Sequence, residues 1–167
     1  MPAAELTAFL ESTLADQIRA ERALHNGDLT PRLSTWSHDD SVTVFGAGVP
    51  FCVGWTDVRA VFDWLAARFT GCEEYDFELI AAHTDGDLAY TVGIERYRAT
   101  TSWGATVQNT LRVTHVYRRE ADGWKIVHRH GDHMPEDKRA TPTDAAHPEM
   151  HDDVEGAVPT SQALPNG

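Results

Sequence analysis

The sequence predicts an α+β fold, and three observations carry that prediction. Near the N-terminus apolar residues recur at helical spacing, at Leu6, Phe9, Leu10, Leu14, Ile18 and Leu24. After Cys72 four segments alternate and are rich in β-branched and aromatic residues. Short turn sequences separate those segments, so that consecutive strands can pair as a meander. Helices first and strands after them place the helices on one face of a curved, largely antiparallel sheet.

The elements follow in order. The first helix is expected over residues 4–25 and stops at Asn26-Gly27-Asp28, because glycine readily closes a helix. Asp28 or Thr30 caps a second, short helix over 31–36, with Pro31 suited to its first turn. The segment Ser41–Phe45 alternates as a strand, residues 46–50 make a turn, and Phe51-Cys52-Val53 returns from it. A third helix carries Val58, Val61, Phe62, Leu65 and Phe69, with Thr56 as its cap and Thr70-Gly71 as its breaker. Strands are expected over 76–83, 87–100, 106–119 and 124–130.

With 167 residues the chain fits one domain with a sizeable core. Acidic residues number 26 against 14 basic ones, a formal charge of -12, which argues against nucleic acid or an anionic membrane as partner. Cys52 and Cys72 have no paired spacing, and the N-terminus shows neither a leader nor a membrane-length apolar run. A reduced, cytoplasmic setting is therefore expected. The domain is assigned to residues 1–135; beyond Pro135 large apolar residues nearly vanish, and 136–167 read as an acidic, disordered tail.

Several stretches resemble a known family. They are Asn26-Gly27-Asp28, the run Trp36–Val44, Gly54, the run Asp87–Tyr90, the run Arg112–Arg119, and the run Asp122–His130. In this order they resemble the SnoaL-like branch of the nuclear transport factor 2 superfamily, to which ketosteroid isomerase is related. The last stretch is also similar to the association domain of calcium/calmodulin-dependent protein kinase II. The resemblance implies a cone, a strongly curved antiparallel mixed sheet wrapped around three helices of the N-terminal half. It also implies a small-molecule ligand and a homodimer through the convex face of the sheet. It does not fix the chemistry, since the fold hosts isomerases, cyclases, dehydratases, hydrolases and inert binding modules.

Strand alternation assigns the candidate site. On the last strand Lys125, Val127 and Arg129 share one side and Trp124, Ile126, His128 and His130 the other, with Asp132 continuing the second set. Turning the lysine and arginine outward points His128, His130 and Asp132 into the cone. The same test turns His115 inward on the strand before it, and Glu95 and Tyr97 inward on the strand before that. The expected catalytic set is His130, Asp132 and His115, because a histidine near a carboxylate suits proton transfer at neutral pH. Trp36, Phe45, Trp55, Phe62, Tyr97, Glu95, Trp124 and His128 are expected to contact the substrate.

The run His128–His133 also admits a zinc or iron site. The same His-x-His ending recurs in members of the resembling family without metal, so no metal and no cofactor are assigned. Two of the three residues of steroid isomerisation are missing where the resemblance would put them, with Phe45 at the base position and Ala20 at the donor tyrosine. The sequence thus reads as a cofactor-independent cyclase, isomerase, dehydratase or hydrolase acting on a small apolar substrate. The alternative is a non-catalytic ligand-binding or oligomerisation module of the kinase-association type.

Overall fold

The computed structural model describes residues 2–135; the tail expected over 136–167 lies outside the described residues. The elements run α1 (Pro2–Leu24), α2 (Thr30–Thr35), β1 (Thr43–Gly46), β2 (Val49–Val53), α3 (Trp55–Ala66), β3 (Phe69–Asp85), β4 (Leu88–Thr101), β5 (Thr106–Glu120) and β6 (Gly123–His133). Six strands make one curved, unclosed sheet in the order β2-β1-β6-β5-β4-β3. Only the β1–β6 pair is parallel among them, so the sheet is mixed. The α+β cone expected from the sequence is the observed architecture. No described helix is long and apolar enough to cross a membrane.

The apolar stripe of α1 lies against the inner face of the sheet, where Phe9 meets both Tyr117 and Trp124 edge-on at 5.1 Å between ring centroids. Phe9, Leu24, Trp36, Val58, Phe62 and Ile126 are almost wholly buried. Each such side chain contributes roughly 1.5–3 kcal/mol by leaving water. At the end of α1 the Asp28 amide donates to the Ala23 carbonyl and the Gly27 amide to that of Leu24, a Schellman closure. Gly27 adopts a φ of +83°, and a Cβ there would sit 2.8 Å from the Phe69 carbonyl oxygen. Glycine therefore lets the helix end abut the start of β3.

Local expectations change at the helix caps and at the start of β3. The N-cap of α2 is Leu29, without a side-chain bond, rather than Asp28 or Thr30. Thr56 does not cap α3: it lies inside the first turn, and Gly54, at a φ of +88°, is the capping residue without a side-chain bond. Thr70-Gly71 is not a loop but part of β3, whose ladder to β4 absorbs irregularities at Phe69/Gly71, Cys72/Glu74 and Leu79/Ala81.

A further change matters most for the site. Between β5 and β6 the pairs Val116↔His128 and Tyr117↔Ile126 are adjacent, so Val127 is a β-bulge with no partner. One extra residue reverses the side-chain alternation beyond it. Trp124 and Ile126 face the helices as expected, but after the bulge Arg129 and Gly131 are the inward, buried residues. His128, His130 and Asp132 turn to the outer face.

Candidate functional site

The cone encloses a cavity of about 220 Å³ whose lining includes the β1–β2 turn. Val44, Val49, Val61, Phe62 and Leu65 contribute apolar wall, and Trp64 and Trp103 lie on its lining with Arg68. Polar groups reach it from α1 (Glu21), from the turn just past its end (His25), from α2 (Arg32) and from the sheet (Glu95, Tyr97, Asn109, Arg129). A larger depression of about 440 Å³ lies between α1 and the β5–β6 turn, but its charged residues Glu5, Asp16 and Asp122 are exposed to water.

Two buried ion pairs stand at the cavity. Arg32 Nη2 donates to Glu21 Oε1 at 2.6 Å, and the Arg32 guanidinium lies 4.4 Å over the Phe62 ring. Arg129 Nη2 donates to both Glu95 oxygens, at 3.0 and 3.2 Å, and Tyr75 donates its hydroxyl to Glu95 Oε2 at 2.8 Å. Burial alone would raise the Glu21 carboxyl, but the Arg32 guanidinium, with Arg129 beyond it, holds it down to about 2. Burial likewise opposes the charge on Arg129, yet Glu95 and Glu21 keep its pKa above the ordinary value. Glu21 and Arg129 are thus charged at neutral pH. Glu21 Oε2 has no partner among the described residues, which leaves a carboxylate oxygen free for a ligand donor.

His25 has a defined tautomer. Its Nδ1 lies 2.7 Å from the Glu21 backbone carbonyl, which can only accept, so Nδ1 carries the proton and Nε2 keeps its lone pair. Burial lowers its pKa, so the ring is neutral. No hydrogen-bond partner occupies Nε2 among the described residues. The ring packs on Tyr97 at 3.9 Å between centroids. Tyr97 accepts from Asn109 Nδ2 at 2.8 Å, and burial pushes its phenol up to about 12, so it retains a proton to donate. The cavity lining therefore includes both an imidazole and a phenol that keeps its proton.

The residues expected from the sequence divide three ways. Phe62, Glu95 and Tyr97 line the cavity. His115 is fully buried behind it, with Arg129 Nη1 donating to its Nε2 at 3.0 Å; its proton is then on Nδ1, which has no partner among the described residues. Burial and the Arg129 charge push the His115 pKa well down, and the ring is neutral. Trp36 packs edge-on to Phe62 in the core, Trp55 stacks on His38, and Trp124 lies beneath Arg119 on the far side of α1.

Phe45, His128, His130 and Asp132 lie on the outer face. Phe45 sits edge-on to His128 and His130, Thr43 Oγ1 is 2.7 Å from His128 Nδ1, and Asp132 pairs with Arg112. Of that terminal cluster, His133 reaches the cavity lining. Among the described residues no three His, Cys, Asp or Glu side chains converge as a metal site would require.

Sequence reasoning missed Glu21, His25, Arg32 and Arg129. Thr13, Gln17 and Glu21 recur every four residues along α1, His25 continues that spacing just past its end, and all four are buried, a polar stripe on an amphipathic helix. That regular recurrence was the available signal. Charged residues at helical spacing more often form a solvated face.

Residues 16–135 match the family model described as the SnoaL-like domain. The fold is also that of solved structures. One is a nuclear transport factor 2-like superfamily protein from Salmonella enterica subsp. enterica serovar Typhimurium str. LT2, with 18% identity, a TM-score of 0.63, and 78% of this chain and 93% of that one covered. Another is a ketosteroid isomerase-like protein from Erwinia carotovora atroseptica SCRI1043, with 19% identity, a TM-score of 0.62, and 75% and 96% covered. A third, from Thiobacillus denitrificans ATCC 25259, is assigned to the calcium/calmodulin-dependent protein kinase type II association domain, with 21% identity, a TM-score of 0.59, and 72% and 94% covered. A search of curated proteins found no match to this sequence. On the family match across most of its length, the chain belongs to the SnoaL-like domain family.

Proposed function

We propose that this protein binds a small, largely apolar molecule in the cone and acts on it by general acid/base catalysis without a cofactor, as an isomerase, cyclase, dehydratase or hydrolase. The observation that carries this reading is His25: a neutral imidazole whose Nδ1 proton is fixed by a carbonyl and whose Nε2 lone pair is unused at a cavity lined by Tyr97. His25 takes a proton from the substrate, and Tyr97 donates a hydrogen bond to the oxygen on which charge develops. Glu95, Arg129 and His115 form one hydrogen-bonded chain and act as positioning residues, holding the strands that carry Tyr97. Phe62 and the aliphatic walls supply apolar contact.

Deuterium uptake tests the reading. Cyclic ketones and enones are incubated with the protein in D₂O and their α-positions followed by NMR. Exchange above the buffer rate, lost in His25→Gln while the probe still binds, is the expected result. Absence of enzyme-dependent exchange for every probe, or exchange unchanged in His25→Gln, contradicts it.

Assembly as a homodimer through the outer face belongs to the same proposal. Ile80 and Leu88 are more than half exposed there, and Tyr90 is 42% exposed, an apolar area that a second copy would cover. The free thiols Cys52 and Cys72 fit a reducing, cytoplasmic compartment.

A further inference from the structure

Arg68, just past the end of α3, lies at the cavity lining between two indoles. Its guanidinium carbon is 4.8 Å from the Trp64 ring centroid and 4.8 Å from that of Trp103. All three side chains line the cavity. The backbone is fixed as well, since the Ser102 amide donates to the Arg68 carbonyl at 2.8 Å. The cation is thus held from two sides by ring faces, which attract it without neutralising it.

The absence of a counter-charge is unusual in this chain. Its formal charge is -12, and among the described residues every other arginine except the exposed Arg22 has a carboxylate within 4.0 Å. Arg68 has none among them. The other two guanidinium groups at the cavity, Arg32 and Arg129, are already neutralised by Glu21 and Glu95.

The geometry points to Arg68 as the residue that selects a ligand bearing one carboxylate, received by the guanidinium fork between Trp64 and Trp103, with the ligand's apolar body in the cavity. This rests on the cavity reading above and names its substrate class. A carboxylate matches the planar fork with two parallel N–H donors. A dianion is disfavoured, because the surrounding chain is already strongly negative.

Phenylacetate, its neutral analogue phenylacetamide and the dianionic benzylphosphonate serve as probes, read by tryptophan fluorescence of the wild type, Arg68→Met and Arg68→Lys. Phenylacetate is expected to bind at least about tenfold more tightly than the amide, the scale of one charge-assisted hydrogen bond. Arg68→Met should bring the acid to the level of the amide and leave the amide unchanged. Arg68→Lys should fall between, and added salt should weaken the acid only. Equal binding of acid and amide by the wild type, equal weakening of both in Arg68→Met, or tighter binding of benzylphosphonate overturns the assignment to Arg68 and a carboxylate. Binding of the amide with no preference for charge leaves the cavity reading standing. Failure of all three probes to bind overturns both.

Discussion

Arg129 Nη2 lies 3.0 Å from Glu95 Oε1, with both side chains buried inside the cone. The pair exists because a bulge at Val127 turns Arg129 inward to meet a carboxylate whose own strand has no irregularity opposite it. Breaking such a pair leaves one charge buried and uncompensated. Glu95→Gln should therefore cost about 3–5 kcal/mol in urea unfolding. The double variant Glu95→Leu/Arg129→Met should be more stable than Glu95→Gln alone; a double variant that loses as much would contradict a buried pair whose cost lies in the orphaned charge.

Acid should destabilise the protein in two stages. The folded-state pKa of His25 and that of His115 are lowered from an ordinary 6.5 by burial, so below that pH the unfolded chain binds more protons than the folded one. Stability is then full above about pH 6.5 and falls as pH drops toward the folded values. Glu21, lowered from 4.5 to about 2, adds a second loss between those values, in the same direction. His115→Gln keeps an acceptor for Arg129 but does not titrate, so thermal melts between pH 7 and pH 5 should show a smaller decline for it than for the wild type. An equal decline would exclude His115 as a source of the effect.

Much of this arrangement was legible in the sequence. Helix α1, its glycine stop, the four long strands and the inward direction of Glu95, Tyr97 and His115 follow from periodicity, and β4 and β5 pair without a break opposite one another. The last strand was not legible past Val127. Alternation is a local rule, and a single unpaired residue reverses every later side chain without leaving a mark in composition. An arginine faces outward unless something inside neutralises it, and Arg129 is buried by virtue of Glu95, a partner on another strand. The same blindness hid Glu21 and Arg32, whose pairing joins two helices. His25 was hidden differently: at the end of a helix it reads as a stop, and its role depends on the cavity it meets.

Gly93 marks a close approach within the sheet. A Cβ there would run into the Phe77 ring and lie 2.6 Å from the Glu78 carbonyl oxygen. Phe77 is buried and the carbonyl is fixed, so neither can yield freely. Gly93→Ala should lower stability by about 1–3 kcal/mol, measured by urea unfolding, with Phe77→Leu restoring part of the loss. A Gly93→Ala protein as stable as the wild type would mean that the strands separate there at no cost.

His25→Gln and Tyr97→Phe should separate binding from chemistry. Both keep the size of the cavity, and neither breaks an ion pair. Deuterium exchange into a bound ketone should fall by about 10²–10⁴-fold in the histidine variant with little change in probe affinity. A parallel fall in affinity and exchange would assign His25 to binding alone.

A small molecule is expected in the cavity beside His25 rather than in the larger groove across α1. The chain has five tryptophans. Trp64 and Trp103 line the cavity, and Trp124 lines the groove. Titrating ¹⁵N-labelled protein with phenylacetamide, and following the five indole N–H signals and the His25 ring nitrogens, separates the two sites. The Trp64, Trp103 and His25 signals are expected to move together while Trp124 stays still, with the free protein showing a protonated Nδ1 and an unprotonated Nε2 at His25. Movement of Trp124 alone, or a proton on Nε2 in the free protein, would contradict it.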